Sequence, residues 1–338
     1  MSTELRAPDL GAAPAATPRS TATRQTGSDL AFALGSRAVG TTVLVITGGI
    51  GLFLAWQAVP TLRHYGLRFF TETDWSPETD HIGILSVLVG TFTVALVAMV
   101  VAFPLALASA LYITEYAPLR VRSTLVAAID LMAAVPSIVY GLWGFFLLQP
   151  QAIDVARFLN AYLGFLPFFH VDTDPRLAQW EQSRFTASAF VAGLAVSMMV
   201  LPMACAVMRE VFSQAPAGER EAALALGSTR WGVIRSVVIP FGRGGIIGGT
   251  MLSLGRALGE TITVLLIISP AFDLKLKPLE IGTETVSALI AGRFGEASPS
   301  QLSALLTAGL VLFLITLVVN MLAAVIVSRG RSGQGTDI

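Results

Sequence analysis

Arg256 and Glu260 stand four residues apart in the run GRALGE, inside an apolar, glycine-rich stretch. On a helix that spacing is about 40° of rotation and one turn of rise, so both charges would face the same way. A charge at the centre of a membrane helix costs roughly 2.5–3.5 kcal/mol to insert. Mutual pairing offsets part of this, yet two leucines would insert more cheaply. A guanidinium is a planar fork of donors that fits the oxygens of an oxyanion. A carboxylate beside it repels an anion, but it can orient the fork or accept a hydrogen bond from a protonated oxyanion. The pair therefore reads as an anion-handling site or, in its structural version, as an ion pair that only fixes helix register. Asp130 is a third charge in an apolar run and, with Arg256 and Glu260, a candidate to line the substrate pathway. It could pair with Arg256 across a bundle, cap backbone groups, or sit in water near a helix end.

A second stretch with chemistry precedes the first. Glu221, Ala222 and Ala223 open a run of good helix formers. Gly227 suits a helix C-cap, and Ser228 and Thr229 can start a second short helix that Pro240 would stop. Two short helices meeting at Gly227 form either an ordinary amphipathic loop or a grip for a partner. The histidines, His64, His81 and His170, sit at no ligand spacing, so no metal site is expected. The single cysteine, Cys205, lies in an apolar run and can make no intrachain disulfide.

The elements that position these residues must be membrane helices. The chain of 338 residues is 54% hydrophobic and 13% charged, with a mean hydropathy of +0.71. Soluble domains carry about 25% charged residues. Several apolar runs exceed the roughly 18 residues needed to span a bilayer, and their continuity argues against a β-barrel. The expected fold is all-α and polytopic, with six spans near 37–60, 82–114, 123–148, 184–208, 244–268 and 301–327. Pro104 should kink the second. Residues 1–35 read as a disordered tail without the apolar region of a signal peptide, 36–328 as the membrane domain, 210–240 as a polar segment within it, and 329–338 as a short tail. In 149–183 an apolar but Pro-broken middle suggests an interfacial helix or cap. With the N-terminus inside, thirteen basic residues fall on inner segments and eight on outer ones, so both termini and the 210–240 segment are expected in the cytoplasm. Gly244/Gly248, Gly245/Gly249 and Gly255/Gly259 are small-residue pairs that allow close packing within the bundle or with a second membrane chain.

Glu221-Ala222-Ala223, Gly227 and Ile239-Pro240 resemble the EAA loop of ABC importer permeases, with Val237-Val238 a mild departure. WSP at 75–77, FPLALASALYITE at 103–115, AAVPSIVYGLWG at 133–144, ALALGSTRW at 223–231, GRALGET at 255–261 and LFLITLVVN at 312–320 resemble the phosphate-specific (Pst) ABC transporter permeases of the PstC type, over about 40–327. The resemblance implies a type I importer permease fold with a cytoplasmic coupling helix docking on an ATPase. It implies four partners: a companion permease (PstA type), an ATPase dimer (PstB type), an extracytoplasmic phosphate-binding protein (PstS type) and inorganic phosphate. No nucleic acid is expected. The chain lacks GxxxxGK[ST], so ATP would be bound by the partner and no cofactor is expected here. In that family the Arg and Glu of GRALGE are implicated in phosphate passage, which carries to Arg256 and Glu260. A carboxylate that accepts from P–OH would reject sulfate. The rivals are a permease for another oxyanion, the companion Pst permease, a proton-coupled transporter relaying through Asp130 and Glu260, and a membrane-embedded enzyme. The EAA loop argues against the proton-coupled transporter, and the lack of a catalytic cluster against the enzyme.

Overall fold

The computed structural model describes residues 27–171 and 183–331. The chain divides into two compact units, up to Ile50 and from Gly51 onward. Helix α1 (Gly27–Tyr65) accounts for the described part of the first unit. It starts nine residues inside the stretch expected to be a tail, with Asp29 favourably placed in its first turn. The remainder of that expected tail, 1–26, and the last residues, 332–338, lie outside the described residues.

In the second unit, the segment after α1 is a packed cap. Helix α2 (Arg68–Thr71) leads to an antiparallel pair, β1 (Trp75–Ser76) and β2 (His81–Ile82). Phe69, Trp75 and Ile82 bury against the start of α3 (Leu85–Leu111). Pro104 lies within α3 without ending it, and a π-turn over Tyr112–Tyr116 continues the span. Gly83 allows this cap to close, since a Cβ there would fall 2.1 Å from the Glu72 carbonyl oxygen.

The third expected span is not one rod. Helix α4 (Leu119–Ala134) and the helical stretch Ser137–Leu163 meet at a 91° bend. Pro136 causes the break, because the residue before a proline is pushed out of the helical region, and Val135 has ψ 128°. Tyr140 staples the corner by donating to the Met132 carbonyl at 2.8 Å. Beyond it, α5 (Ser137–Trp143), a π-turn and α6 (Gln149–Leu163) run on, so the first part of 149–183 is helix continuous with the span. Residues 172–182 lie outside the described ones.

Helix α7 (Ala189–Ser213) is capped by Ser188, whose hydroxyl accepts from the Val191 N–H. It packs along α3 through Val94, Ala98, Ala102, Ala192, Ala195 and Val196. Gly193 sets the separation: a Cβ there would lie 2.6 Å from Val97. After α7 come α8 (Ala217–Ala225), α9 (Arg230–Val233), a π-turn and α10 (Ile239–Leu258). Then follow α11 (Ile262–Ile267), α12 (Val286–Arg293) and α13 (Pro299–Arg331). Among the described residues, five helices are long and apolar enough to cross a membrane, and six if the bent pair counts as one broken span.

Candidate functional site: an arginine on α10 and the segment before it

Glycines hold α10 between two neighbours. A Cβ at Gly242 or Gly245 would collide with Phe212 or Val211 of α7, at 2.3 and 2.5 Å. Gly249 faces the Ala204 carbonyl, while Gly248 and Gly255 face Val327 and Asn320 of α13. The overlapping glycine pairs thus serve two helices, and Ser253 adds a hydrogen bond to the Val200 carbonyl at 3.3 Å. This packing fixes the height and rotation of α10, and hence of Arg256. Arg256 is exposed on the single chain and makes no ion pair among the described residues.

Glu260 does not share a helical face with Arg256. Helix α10 ends at Leu258 and Gly259 caps it, so the expected fifth span over 244–268 is interrupted. The 100° per residue geometry stops applying before Glu260 is reached. Glu260 instead folds onto α11: its Oε1 accepts from the Thr263 N–H at 3.3 Å and the Thr263 hydroxyl at 2.8 Å. That hydroxyl also lies 3.0 Å from the Ser137 carbonyl, so one proton serves two acceptors. Glu260 is 8% exposed, and its second oxygen, Oε2, makes no hydrogen bond among the described residues. Gly141 lets α5 and α11 close up, since a Cβ there would lie 3.1 Å from Thr263 Cα. Thr263 is the residue that sequence reasoning missed. Its signal was position, three residues after a buried-looking Glu that itself follows the end-capping Gly259.

Asp130 is also placed differently from one expectation. It pairs with Arg209 of α7, Oδ1 to Nη2 at 3.6 Å, and not with Arg256. Helices α7 and α10 are antiparallel, with Val200 opposite Ser253. At 1.5 Å per residue Arg209 therefore lies about 18 Å along the axis from the level of Arg256. Arg209 Nη1 is buried without a hydrogen-bond partner among the described residues.

The stretch around Gly227 forms the expected helix–turn. Glu221, Ala222 and Ala223 lie on α8, with Glu221 and Ala222 exposed and Ala223 half-buried. Gly227 has φ +85°, the left-handed region that glycine enters freely. The Ser228 N–H returns to the Ala223 carbonyl at 3.1 Å. Thr229 caps α9 by accepting from the Gly232 N–H. Around this turn Leu224, Leu226 and Trp231 are exposed, Leu226 by 88%. Pro240, however, does not stop the second helix. The π-turn over Ile234–Val238 widens the backbone ahead of it, the Ile239 N–H bonding back to Ile234, and Pro240 enters α10 in its first turn. A proline lacks only a donor that the first turn does not use.

Two of the histidines serve carboxylates on the cap: His64 Nε2 lies 2.9 Å from Asp80 and His81 Nδ1 2.6 Å from Glu72. The Tyr65 hydroxyl donates to Asp80 as well, and these bonds hold the Asp80 carboxyl below its usual range. A cavity of about 760 Å³ opens beside them, between His64, Asp80 and Ser300. Neither Arg256 nor Glu260 lines it.

Residues 102–332 match the family described as binding-protein-dependent transport system inner membrane component. The chain is 38% identical over 313 residues to the phosphate transport system permease protein PstC of Xylella fastidiosa, covering 92% of this chain and 94% of that protein. It is 40% identical over 306 residues to PstC 2 of Mycobacterium tuberculosis, covering 89% and 92%. A solved bacterial ABC transporter involved in import of the acidic polysaccharide alginate shares the fold. Its TM-score is 0.52 at 16% identity, over 88% of this chain and 96% of that one.

Proposed function

Since the chain belongs to the PstC family of binding-protein-dependent inner-membrane transport components, we propose that it forms half of the translocation pathway of an ATP-driven phosphate importer. The observation that carries this reading is 38% identity to a phosphate permease along nine-tenths of both chains. The chain is non-catalytic: a partner ATPase dimer hydrolyses ATP, a companion permease completes the pathway, and an extracytoplasmic binding protein delivers phosphate. Both termini and α8 face the cytoplasm.

Glu221, Ala222, Ala223 and Gly227, with the apolar side chains beside them, dock α8 on the ATPase. Closure of the ATPase on ATP then moves α8 and rocks the bundle. Arg256 supports the pathway reading because its guanidinium is exposed and free of a carboxylate, on a helix whose other faces are packed against α7 and α13. Its fork binds phosphate oxygens on the side where the companion permease sits. Glu260 keeps Oε2 for a P–OH hydrogen, which sulfate lacks. Asp130 acts with Arg209 as a tie between α4 and α7. Reconstitution with the three partner proteins tests the reading. Phosphate uptake should require ATP and exceed sulfate uptake. Uptake driven by a proton gradient without ATP would sink it in favour of a proton-coupled carrier.

A further inference from the structure

Helix α8 is poorly anchored by apolar packing. None of its nine residues is buried. It touches α9 and the π-turn after it, with Ala223 partly against the cluster formed there. A helix held so lightly could pivot on the turn at Gly227 without moving the spans. One side chain bridges the gap. Arg220 of α8 reaches back to the end of α7, where Nη2 donates to the Phe212 carbonyl at 2.6 Å. The same guanidinium meets Glu115 in the π-turn that ends the α3 span: Nη2 lies 3.2 Å from Oε1, and Nη1 donates to Oε2 at 3.4 Å. The two side chains are 24% and 11% exposed.

We infer that Arg220 is the positioning residue that fastens the ATPase-facing helix to α3 and α7 together, so that displacement of α8 is delivered to both spans as one. This rests on the reading that α8 docks the ATPase. The chemistry favours a tie over an incidental contact. A guanidinium has a rigid fork of donors and can hold a carboxylate and a carbonyl at once, which an ammonium on a flexible stem does poorly. The Phe212 carbonyl belongs to the last turn of α7, where it accepts from the Ala215 N–H at 3.2 Å and keeps a second lone pair for Arg220, and where a positive charge is favoured. Breaking a shielded pair on one side leaves the other charge unmatched, so the link resists sliding. Helices α3 and α7 are themselves packed together through Val94, Ala98, Ala102, Ala192, Ala195 and Val196, with Gly193 seated against Val97. A pull at their common end therefore moves a rigid pair.

The test uses the full complex, reconstituted with companion permease, ATPase and binding protein, and phosphate as the probe. Three quantities are read: ATPase retained on purification, stimulation of hydrolysis by phosphate-loaded binding protein, and phosphate moved per ATP. Arg220→Gln should retain the ATPase and its basal hydrolysis, while stimulation and phosphate per ATP fall about fivefold or more, the scale of a typical coupling energy. Glu115→Gln cuts the link to α3 but leaves the Phe212 contact, so it should lose less. Arg220→Lys should fall between Arg220→Gln and the parent. Arg220→Gln with parental stimulation and phosphate per ATP overturns the inference. So does loss of the ATPase from that variant, because Arg220 would then shape the docking surface. If Arg220→Gln fails to insert or to pair with the companion permease, Glu115→Gln decides alone, with unchanged coupling counting against the tie. Failure of the parent complex to retain any ATPase would refute the docking reading instead.

Discussion

Arg209 and Arg256 sit on α7 and α10, helices that pack through Gly245 and Gly249, yet their surroundings differ. Arg209 has Asp130 at 3.6 Å and is 18% exposed, whereas Arg256 is exposed and has no carboxylate within 4 Å among the described residues. Arg220 resembles Arg209, with Glu115 at 3.2 Å. The paired arginines lie at the end of the bundle that carries α8. The free one lies about 18 Å along the axis at 1.5 Å per residue. A paired charge has part of its desolvation cost offset by its partner. A free guanidinium in an apolar helix keeps its desolvation cost until a ligand or a companion permease meets it. The contrast separates arginines paired with a carboxylate from one that is not, which sequence spacing alone did not do.

The strongest way to break this contrast is to exchange the two arginines' side chains for neutral ones. Arg256→Gln should assemble normally and lose phosphate uptake about a hundredfold, as expected when charge-assisted bonds worth about 3 kcal/mol disappear. Arg256→Lys should lose about tenfold, keeping charge without the fork. Arg209→Gln should instead lower thermal stability and leave uptake per assembled complex within about twofold, since its pair is an interhelical tie. Uptake by both Arg256 variants at the parental rate, with Arg209→Gln inactive, would reverse the assignment.

A weaker effect is expected at the other end. Gly227→Asp forces a side chain into φ +85°, at a cost of about 1–2 kcal/mol, and places a charge beside exposed Leu226 and Trp231. ATPase retention should drop about tenfold while membrane insertion is unchanged. Gly218→Ala, with open space around it, is the control and should change nothing. Equal retention by Gly227→Asp would remove the docking role from this turn.

Glu260 and Glu284 sharpen the comparison from the acidic side, because both are buried and accept a backbone N–H close by in sequence, from Thr263 and Thr285. Glu260→Gln should assemble and narrow the preference for phosphate over sulfate about fivefold, as loss of one hydrogen bond to a charged acceptor would. Unchanged selectivity in competing uptake would leave Glu260 as the anchor of α11 alone.

Glu284 should affect transport least. Burial pushes its carboxyl up to about 7 from the ordinary 4.5, against the pull of the Thr285 N–H and Arg293. A raised acid favours its neutral form in the fold. Its stabilising contribution is therefore full below about pH 4.5 and is lost as pH rises through about 7. The melting temperature of the parent should fall between those values, by the equivalent of at most about 3 kcal/mol. Glu284→Gln should flatten that fall and melt higher at pH 8. Superimposable melting curves for the two proteins would show that the site carries no such penalty.

Much of the architecture was legible because its causes are local. Hydrophobic runs long enough to span, good helix formers before Gly227, and a Ser or Thr at a helix start act within one or two turns. The starts and stops that went astray involve a choice between neighbours. Pro136 broke a helix while Pro104 and Pro240 did not. Pro240 escaped because a π-turn ahead of it widened the backbone, and Pro136 kept its corner because Tyr140 could reach the Met132 carbonyl.

The amino-acid sequence by itself determined that this is a membrane-spanning helical permease, where its charges lie along the chain, and that Gly227 ends a helix outside the apolar runs. Those follow from hydropathy, spacing and the freedom of a residue without a Cβ. Which charges meet was decided only in three dimensions. Asp130 and Arg209 are far apart in sequence, as are Glu115 and Arg220, and nothing in the linear spacing selects either pair. Arg256 and Glu260, adjacent on paper, part because Gly259 ends the helix between them and Thr263 takes the carboxylate. An ion pair forms where packed backbones bring two groups to the same height, and that height is set by the small residues that let α3, α7, α10 and α13 approach.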